Sequence, residues 1–229
     1  MTRKHHILLV HGAWGDASHW QHVIPLLHKA GFKISAVQNP LSSLPDDVKR
    51  TQRLAEEIAE PVILVGHSYG GMVISGAGHA ENVVGLVYVA AFAPDEGETP
   101  ADLFKLRAPP PGAQYLKPDK SDYLWIDQDH FHESFCQDLD ATEALVMSIT
   151  QKPIAMQCFA DKAGKPAWKD KPSWYQISTQ DRMIPPETEQ WFAQRIGART
   201  VISLDSSHAS LASHPKEIAD FIITASEAL

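Results

Sequence analysis

Apolar residues fall along this chain in short runs, separated by stretches where they recur every three or four positions. The runs are 6–10, 33–37, 62–65, 83–91, 174–178 and 200–204, and 83–91 is almost free of polar residues. Short apolar runs of this kind read as strands buried on both faces, the habit of parallel sheets. The helical periods fall at 18–30, 46–59, 69–80, 187–196 and 216–228. In 18–30, Trp20, Val23, Ile24 and Leu27 keep the period and Gly31 supplies a stop, but Pro25 conflicts with a continuous helix. Asp46 and Asp47 carry favourable negative charge at the start of 46–59.

Strands alternating with helices at this spacing predict parallel pairing through right-handed crossovers. The expected fold class is therefore α/β: a mostly parallel six-stranded sheet with helices on both faces, one domain over 1–229. Between about 95 and 170 the alternation stops. Pro109-Pro110-Pro111 and Pro118-Asp119 mark turns there, Tyr115-Leu116 and 123–126 suit a small hairpin, and 129–139 and 142–150 suit short helices. The sheet pattern resumes afterwards, so this segment reads as a mostly helical cap insertion within the domain.

Composition narrows the picture without redirecting it. With 229 residues, 44% hydrophobic and 21% charged, the chain can bury one large core. A net charge of −8 with scattered Lys and Arg argues against a nucleic-acid partner. No run reaches transmembrane length, and the apolar stretch after Arg3-Lys4 is too short for a signal peptide, which gives a cytoplasmic expectation with no membrane partner. Cys136 and Cys158 have neither metal-type nor redox-type spacing and read as free thiols.

The chemistry centres on Gly66-His67-Ser68-Tyr69-Gly70-Gly71, between a buried strand and a helix. Gly-x-Ser-x-Gly in that context is a nucleophile elbow: a turn too tight for side chains two residues either side of the serine, which holds the hydroxyl clear of the sheet. Such a serine needs a base, and the base an acid; behind an elbow of this kind the chain order is Ser, then Asp or Glu, then His. Asp181 and His208 each follow a late strand, and the carboxyl ends of parallel strands share one edge of a sheet. The catalytic set is thus Ser68, Asp181 and His208, with Asp205 as the alternative acid. His67 is expected to point away from the site, and His214 to lie at the surface or cap the last helix. Paired His19 and His22, or His130 and His132, lack a supporting carboxylate pattern, so no metal is expected, and most other histidines are expected in solvent. The backbone N–H groups of Ala13 and Tyr69 are the expected oxyanion donors. Trp14, Trp125, Phe131 and Phe159 are candidates for an apolar pocket wall, with core packing an equal alternative for each.

His11-Gly12-Ala13-Trp14-Gly15, the elbow, Asp181-x-x-x-Pro185 and His208 together resemble the α/β-hydrolase superfamily. Within it the chain is similar to the small-capped branch of plant methylesterases, hydroxynitrile lyases and related bacterial esterases. The resemblance covers all but about 95–170, and implies a sheet lacking the superfamily's usual first two strands. Lyase members of that branch carry threonine where this chain has Gly12, and lysine directly after the catalytic histidine, where it has Ala209. The resemblance therefore implies a cofactor-independent serine hydrolase cleaving a small, uncharged, largely apolar carboxylic ester or lactone through an acyl-enzyme. A lyase or carbon–carbon hydrolase with the same triad, and a ligand-binding receptor on a hydrolase fold, are the alternatives.

Overall fold

The structure is a computed structural model that describes residues 5–229. Its strands are β1 (His6–Val10), β2 (Lys33–Ala36), β3 (Val62–His67), β4 (Val83–Val89), β5 (Leu116–Pro118), β6 (Tyr123–Ile126), β7 (Ile154–Ala155), β8 (Ser173–Ser178) and β9 (Val201–Leu204). Six of these form one sheet in the order β2-β1-β3-β4-β8-β9, every neighbouring pair parallel. The connection from β1 runs outward to β2 and the next crosses back to β3. The loops after β1 and β3 therefore leave in opposite directions, which opens a crevice at their carboxyl ends. His11-Gly12-Ala13 follows β1 and Ser68 follows β3.

The helices are α1 (Ile24–Lys29), α2 (Leu44–Glu56), α3 (Gly70–Ala77), α4 (Pro100–Phe104), α5 (Gln128–Phe135), α6 (Ala141–Thr150), α7 (Gln157–Ala160), α8 (Pro186–Arg195), α9 (Ser210–Ser213) and α10 (Pro215–Glu227). Alternation along the strands feeds two cores. Leu8, Val10, Leu64, Leu86 and Tyr88 face the cluster that holds α3 and α8 residues. Ile7, Leu9, Ile63, Val65 and Val87 face the opposite cluster, with Leu27 of α1 and Ile218 and Ile222 of α10. Helices thus cover both faces, as the unbroken apolar runs require.

Three expectations change. The span 18–30 is not one helix: Ala17–Trp20 forms a 3-10 turn capped by Asp16, whose carboxylate accepts the Ser18 N–H at 2.7 Å, and α1 begins only at Ile24. Pro25 then sits in the first turn of α1, where its missing N–H has no helical partner to lose. Helix α2 starts two residues early because the Ser43 hydroxyl accepts the Asp46 N–H. Between β4 and β8, β5 and β6 form the expected antiparallel hairpin, and the two-residue β7 adds a third strand too short to leave a periodic signal.

Candidate active site

Ser68 stands at the junction of β3 and α3 with φ of 55°, in the left-handed region that serine rarely adopts. The backbone around it is held from both sides. Its N–H donates to Val89 O at 3.2 Å, and its carbonyl accepts the N–H groups of Gly71 at 2.9 Å and Phe92 at 3.1 Å. The turn is as tight as the sequence implies: a Cβ on Gly66 would lie 2.6 Å from Gly70 O, a distance real Cβ atoms essentially never show.

β8 and β9 deliver the other two expected residues to the same edge. His208 Nε2 lies 2.8 Å from Ser68 Oγ, and Nδ1 lies 2.5 Å from Asp181 Oδ2. These partners require the Nδ1–H tautomer, with Nε2 free to accept from the serine hydroxyl. The second Asp181 oxygen accepts the N–H groups of Met183 at 2.6 Å and Ile184 at 2.8 Å. Ser68, Asp181 and His208 are all buried. Asp205 lies on the surface and does not join them; its carboxylate accepts from Thr179 Oγ1 at 3.3 Å and Gln180 Nε2 at 3.0 Å. His214 precedes α10, with Nδ1 at 3.0 Å from Ser213 Oγ.

The His208 loop is clamped by groups that local sequence does not mark. The Asp138 carboxylate accepts the Ser207 N–H at 2.8 Å. His67 donates from Nε2 to His208 O at 2.8 Å, and the two rings stand 4.8 Å apart. Burial, then the neighbouring His208, holds the His67 pKa well below the usual histidine value, so it is a neutral donor here. His11 is likewise buried rather than solvated. Its Nδ1 donates to Gly12 O at 2.9 Å and its Nε2 accepts the Asn39 N–H at 3.0 Å, bracing the turn after β1. Burial lowers its pKa to about 4.

The N–H groups of Ala13 and Tyr69 are buried and donate to no acceptor among the described residues. Trp14, at φ of 58°, completes the Ala13 turn and is tied to the segment between β4 and β8 twice. Its Nε1 donates to Leu124 O at 3.1 Å, and its carbonyl accepts the Lys152 N–H at 3.3 Å. Its ring faces Phe159 at 6.2 Å, which stacks on Phe104 at 5.9 Å. Phe131 stacks on Phe135 at 5.1 Å, and Phe135 is the ring set edge-on to His208, at 5.0 Å. Trp125 departs from expectation. Its indole donates to Asp119 Oδ2 at 3.0 Å in the hairpin turn, outside the apolar cluster that holds Trp14, Phe131 and Phe159.

Two buried acids went unread in the sequence. Asp47 is not an exposed helix-start charge like Asp46. It turns inward and accepts from Tyr69 Oη at 2.9 Å and Leu41 N–H at 2.9 Å, and burial raises its pKa to about 6. Glu189 lies on the inward face of α8. The signal for both was an acid on the apolar stripe of its own helix: Leu44, Thr51 and Ala55 flank Asp47, and Phe192 and Ala193 flank Glu189.

Comparison with known proteins bears on the family and the fold. A family model described as the alpha/beta hydrolase family matches residues 7–221. The chain is 29% identical over 233 residues to an alpha/beta hydrolase of Aspergillus novofumigatus, covering 91% of each. It is 23% identical over 251 residues to methylesterase 1 of Arabidopsis thaliana, covering 96% of this chain and 95% of the relative. Among solved structures, a pyrethroid hydrolase from Sphingobium faniae superposes with a TM-score of 0.81 at 22% identity, covering 99% of this chain and 98% of that one. Among the described residues, no helix is long and apolar enough to cross a membrane.

Proposed function

Since this chain belongs to the alpha/beta hydrolase family, we propose that it is a cofactor-independent serine hydrolase cleaving a small, uncharged, largely apolar carboxylic ester or lactone. The observation that carries the reading is the buried line from Ser68 Oγ through His208 to Asp181, two contacts of 2.8 and 2.5 Å. The likeness to a methylesterase supports an ester as substrate class.

Ser68 Oγ attacks the ester carbonyl carbon while His208 Nε2 takes its proton. The imidazolium so formed is stabilised by Asp181, which keeps its charge and holds the ring. The carbonyl oxygen, now anionic, receives the N–H groups of Ala13 and Tyr69. Collapse of the tetrahedral species breaks the ester C–O bond, and His208 returns the proton to the leaving alkoxide. Water then attacks the acyl-enzyme by the same route in reverse roles. Residues 95–170 act as a cap whose apolar rings Phe159 and Phe104, packed against Trp14 of the turn after β1, suit an uncharged acyl or alkyl group, since an unpaired ion there would be costly to bury.

Lyase chemistry fits less well. A Cβ on Gly12 would lie 2.7 Å from the Ser68 Cβ, so the hydroxyl-bearing residue of the lyases has no room in this arrangement. Ala209 follows His208 and supplies no cation for a departing cyanide.

A fluorophosphonate should label Ser68, and Ser68→Ala should abolish labelling and lower turnover by about 10³-fold or more while the protein stays folded. A folded Ser68→Ala variant with near-wild-type kcat overturns the proposal. Cyanide release without ester cleavage would favour the lyase, and no turnover beyond one equivalent would favour a receptor.

A further inference from the structure

The acid of the triad has a second acid behind it. Glu189 of α8 is fully buried, and its Oε2 accepts the Ser178 N–H at 3.0 Å. Its other oxygen, Oε1, is also buried and meets no hydrogen-bond donor among the described residues. The neighbouring side chain with which Glu189 can share a hydrogen bond is another carboxylate, that of Asp181. The remaining titratable group facing it is Tyr175 of β8, whose hydroxyl is occupied with the backbone of Ala91. Arg195, further along α8, is engaged with Glu98.

Two buried carboxyl groups in contact, with no cation between them, cannot both be ionised, so they must hold a proton between them. Which one keeps it follows from the donors on each side. Asp181 receives Met183 N–H, Ile184 N–H and His208 Nδ1–H, three of the roughly four acceptor positions of a carboxylate. Among the described residues, Glu189 receives the Ser178 N–H alone. The charge therefore belongs on Asp181 and the proton on Glu189, where an O–H on Oε1 gives that orphaned oxygen a partner. Burial and the adjacent Asp181 push the Glu189 pKa well above the usual carboxylate range, in the same direction.

We propose that Glu189 is a positioning residue of the triad: an uncharged carboxylic acid that donates a hydrogen bond to Asp181 and fills the acceptor position left over by Met183, Ile184 and His208. Two consequences follow for catalysis, both resting on the serine-hydrolase reading. The donor pins the Asp181 carboxylate in the plane that meets His208 Nδ1. It also draws electron density from Asp181, so that the proton taken from Ser68 stays on the imidazole and is readily passed on to the leaving group. An ionised glutamate at this place would act oppositely, holding the imidazolium too firmly to release its proton.

The two cases separate by substitution. Gln keeps a neutral donor toward Asp181 and an acceptor for Ser178, whereas Leu keeps volume and removes both. In Glu189→Leu, kcat should fall by about tenfold or more with KM little changed, and the acid limb of the kcat/KM profile should move to higher pH, because Asp181 loses its donor. Glu189→Gln should restore kcat to within about threefold of wild type and return the acid limb to its place. If Glu189 is charged instead, Glu189→Gln removes an anion and moves the acid limb to lower pH, which overturns the proposal. A folded Glu189→Leu variant with wild-type kcat and acid limb overturns it too, leaving Glu189 a packing group. Should Glu189→Leu fail to fold, infrared difference spectroscopy of wild type against Glu189→Gln decides. The carbonyl band of a protonated carboxylic acid must be present at neutral pH and lost in the variant; its absence from wild type refutes the proposal. The Ser68→Ala variant keeps the two readings apart. If it is inactive while the Glu189 variants behave as wild type, the hydrolase reading stands and the positioning role alone falls.

Discussion

His67 donates a hydrogen bond to the backbone carbonyl of His208, across 141 residues of chain, so the neighbour of Ser68 holds the loop that carries His208. The His67 ring is itself wedged edge-on between Trp20 and Phe135. His67→Ala removes a buried hydrogen bond and leaves a cavity under His208. It should cost about 2–4 kcal/mol of stability and lower kcat more than it raises KM. Urea denaturation and steady-state kinetics on the folded fraction check both. A wild-type kcat in that fraction would mean that His208 does not depend on this clamp.

Asp181 and Asp205 make a paired test of the acid. Asp181→Asn leaves a neutral partner at His208 Nδ1 and favours the wrong tautomer, so kcat should fall by about 10³-fold or more. Asp205→Asn touches only Thr179 and Gln180 at the surface and should stay within about twofold of wild type. Greater damage from the Asp205 change would reverse the assignment.

Phe159 and Trp125 should differ in the same way for substrate choice. Phe159 stacks on Phe104 and faces Trp14 beside the Ala13 turn, so Phe159→Ala should change the ranking of esters of different chain length by about 1–3 kcal/mol in kcat/KM. Trp125→Ala frees Asp119 in the hairpin and should leave that ranking unchanged. Competition assays with a series of esters measure both. A ranking that moves only in the Trp125 variant would put the substrate on the other side of the hairpin.

Acidification should act on stability through buried groups that pull in opposite directions. His11 has its pKa lowered to about 4 by burial. Its contribution is complete above the unfolded value of 6.5 and is lost as the pH falls toward 4, a change of about 3 kcal/mol. His67, also held well below the usual histidine value by burial, acts with the same sign. Asp47, raised to about 6 from 3.8, and Glu189, raised well above the carboxylate range, act against them: each favours the fold in acid and loses that contribution as the pH rises through its folded pKa. Between about pH 7.5 and about pH 4.5 the urea midpoint should therefore drop further for Asp47→Asn than for wild type. Parallel drops in the two proteins would show that Asp47 does not titrate against the histidines.

Much of this was legible in the residues because it depends on neighbours a few positions apart. The runs 6–10 and 62–65 are strands since uninterrupted apolar side chains must be buried on both faces. Gly66 and Gly70 mark the elbow since the turn leaves no space for a Cβ there. Parallel order then sends the loops carrying Ser68, Asp181 and His208 to one sheet edge, whatever their separation in the chain.

What the chain order left open was decided by side-chain direction between elements far apart. Asp181 and Asp205 both follow strands in suitable loops, and only the packing of β8 against β9 turns one toward His208 and the other into solvent. Trp125 was a plausible wall by composition, yet the hairpin's own turn captures its indole. The lone proline at position 25 signalled a conflict but not its resolution, which came from placing it in the first turn of α1. His67 and Glu189 are the clearest cases. Each sits in an ordinary local pattern, and each meets a partner, His208 O or the Ser178 N–H, that folding brings within hydrogen-bonding distance in a dry interior, where an unpaired polar group costs too much to leave unmatched.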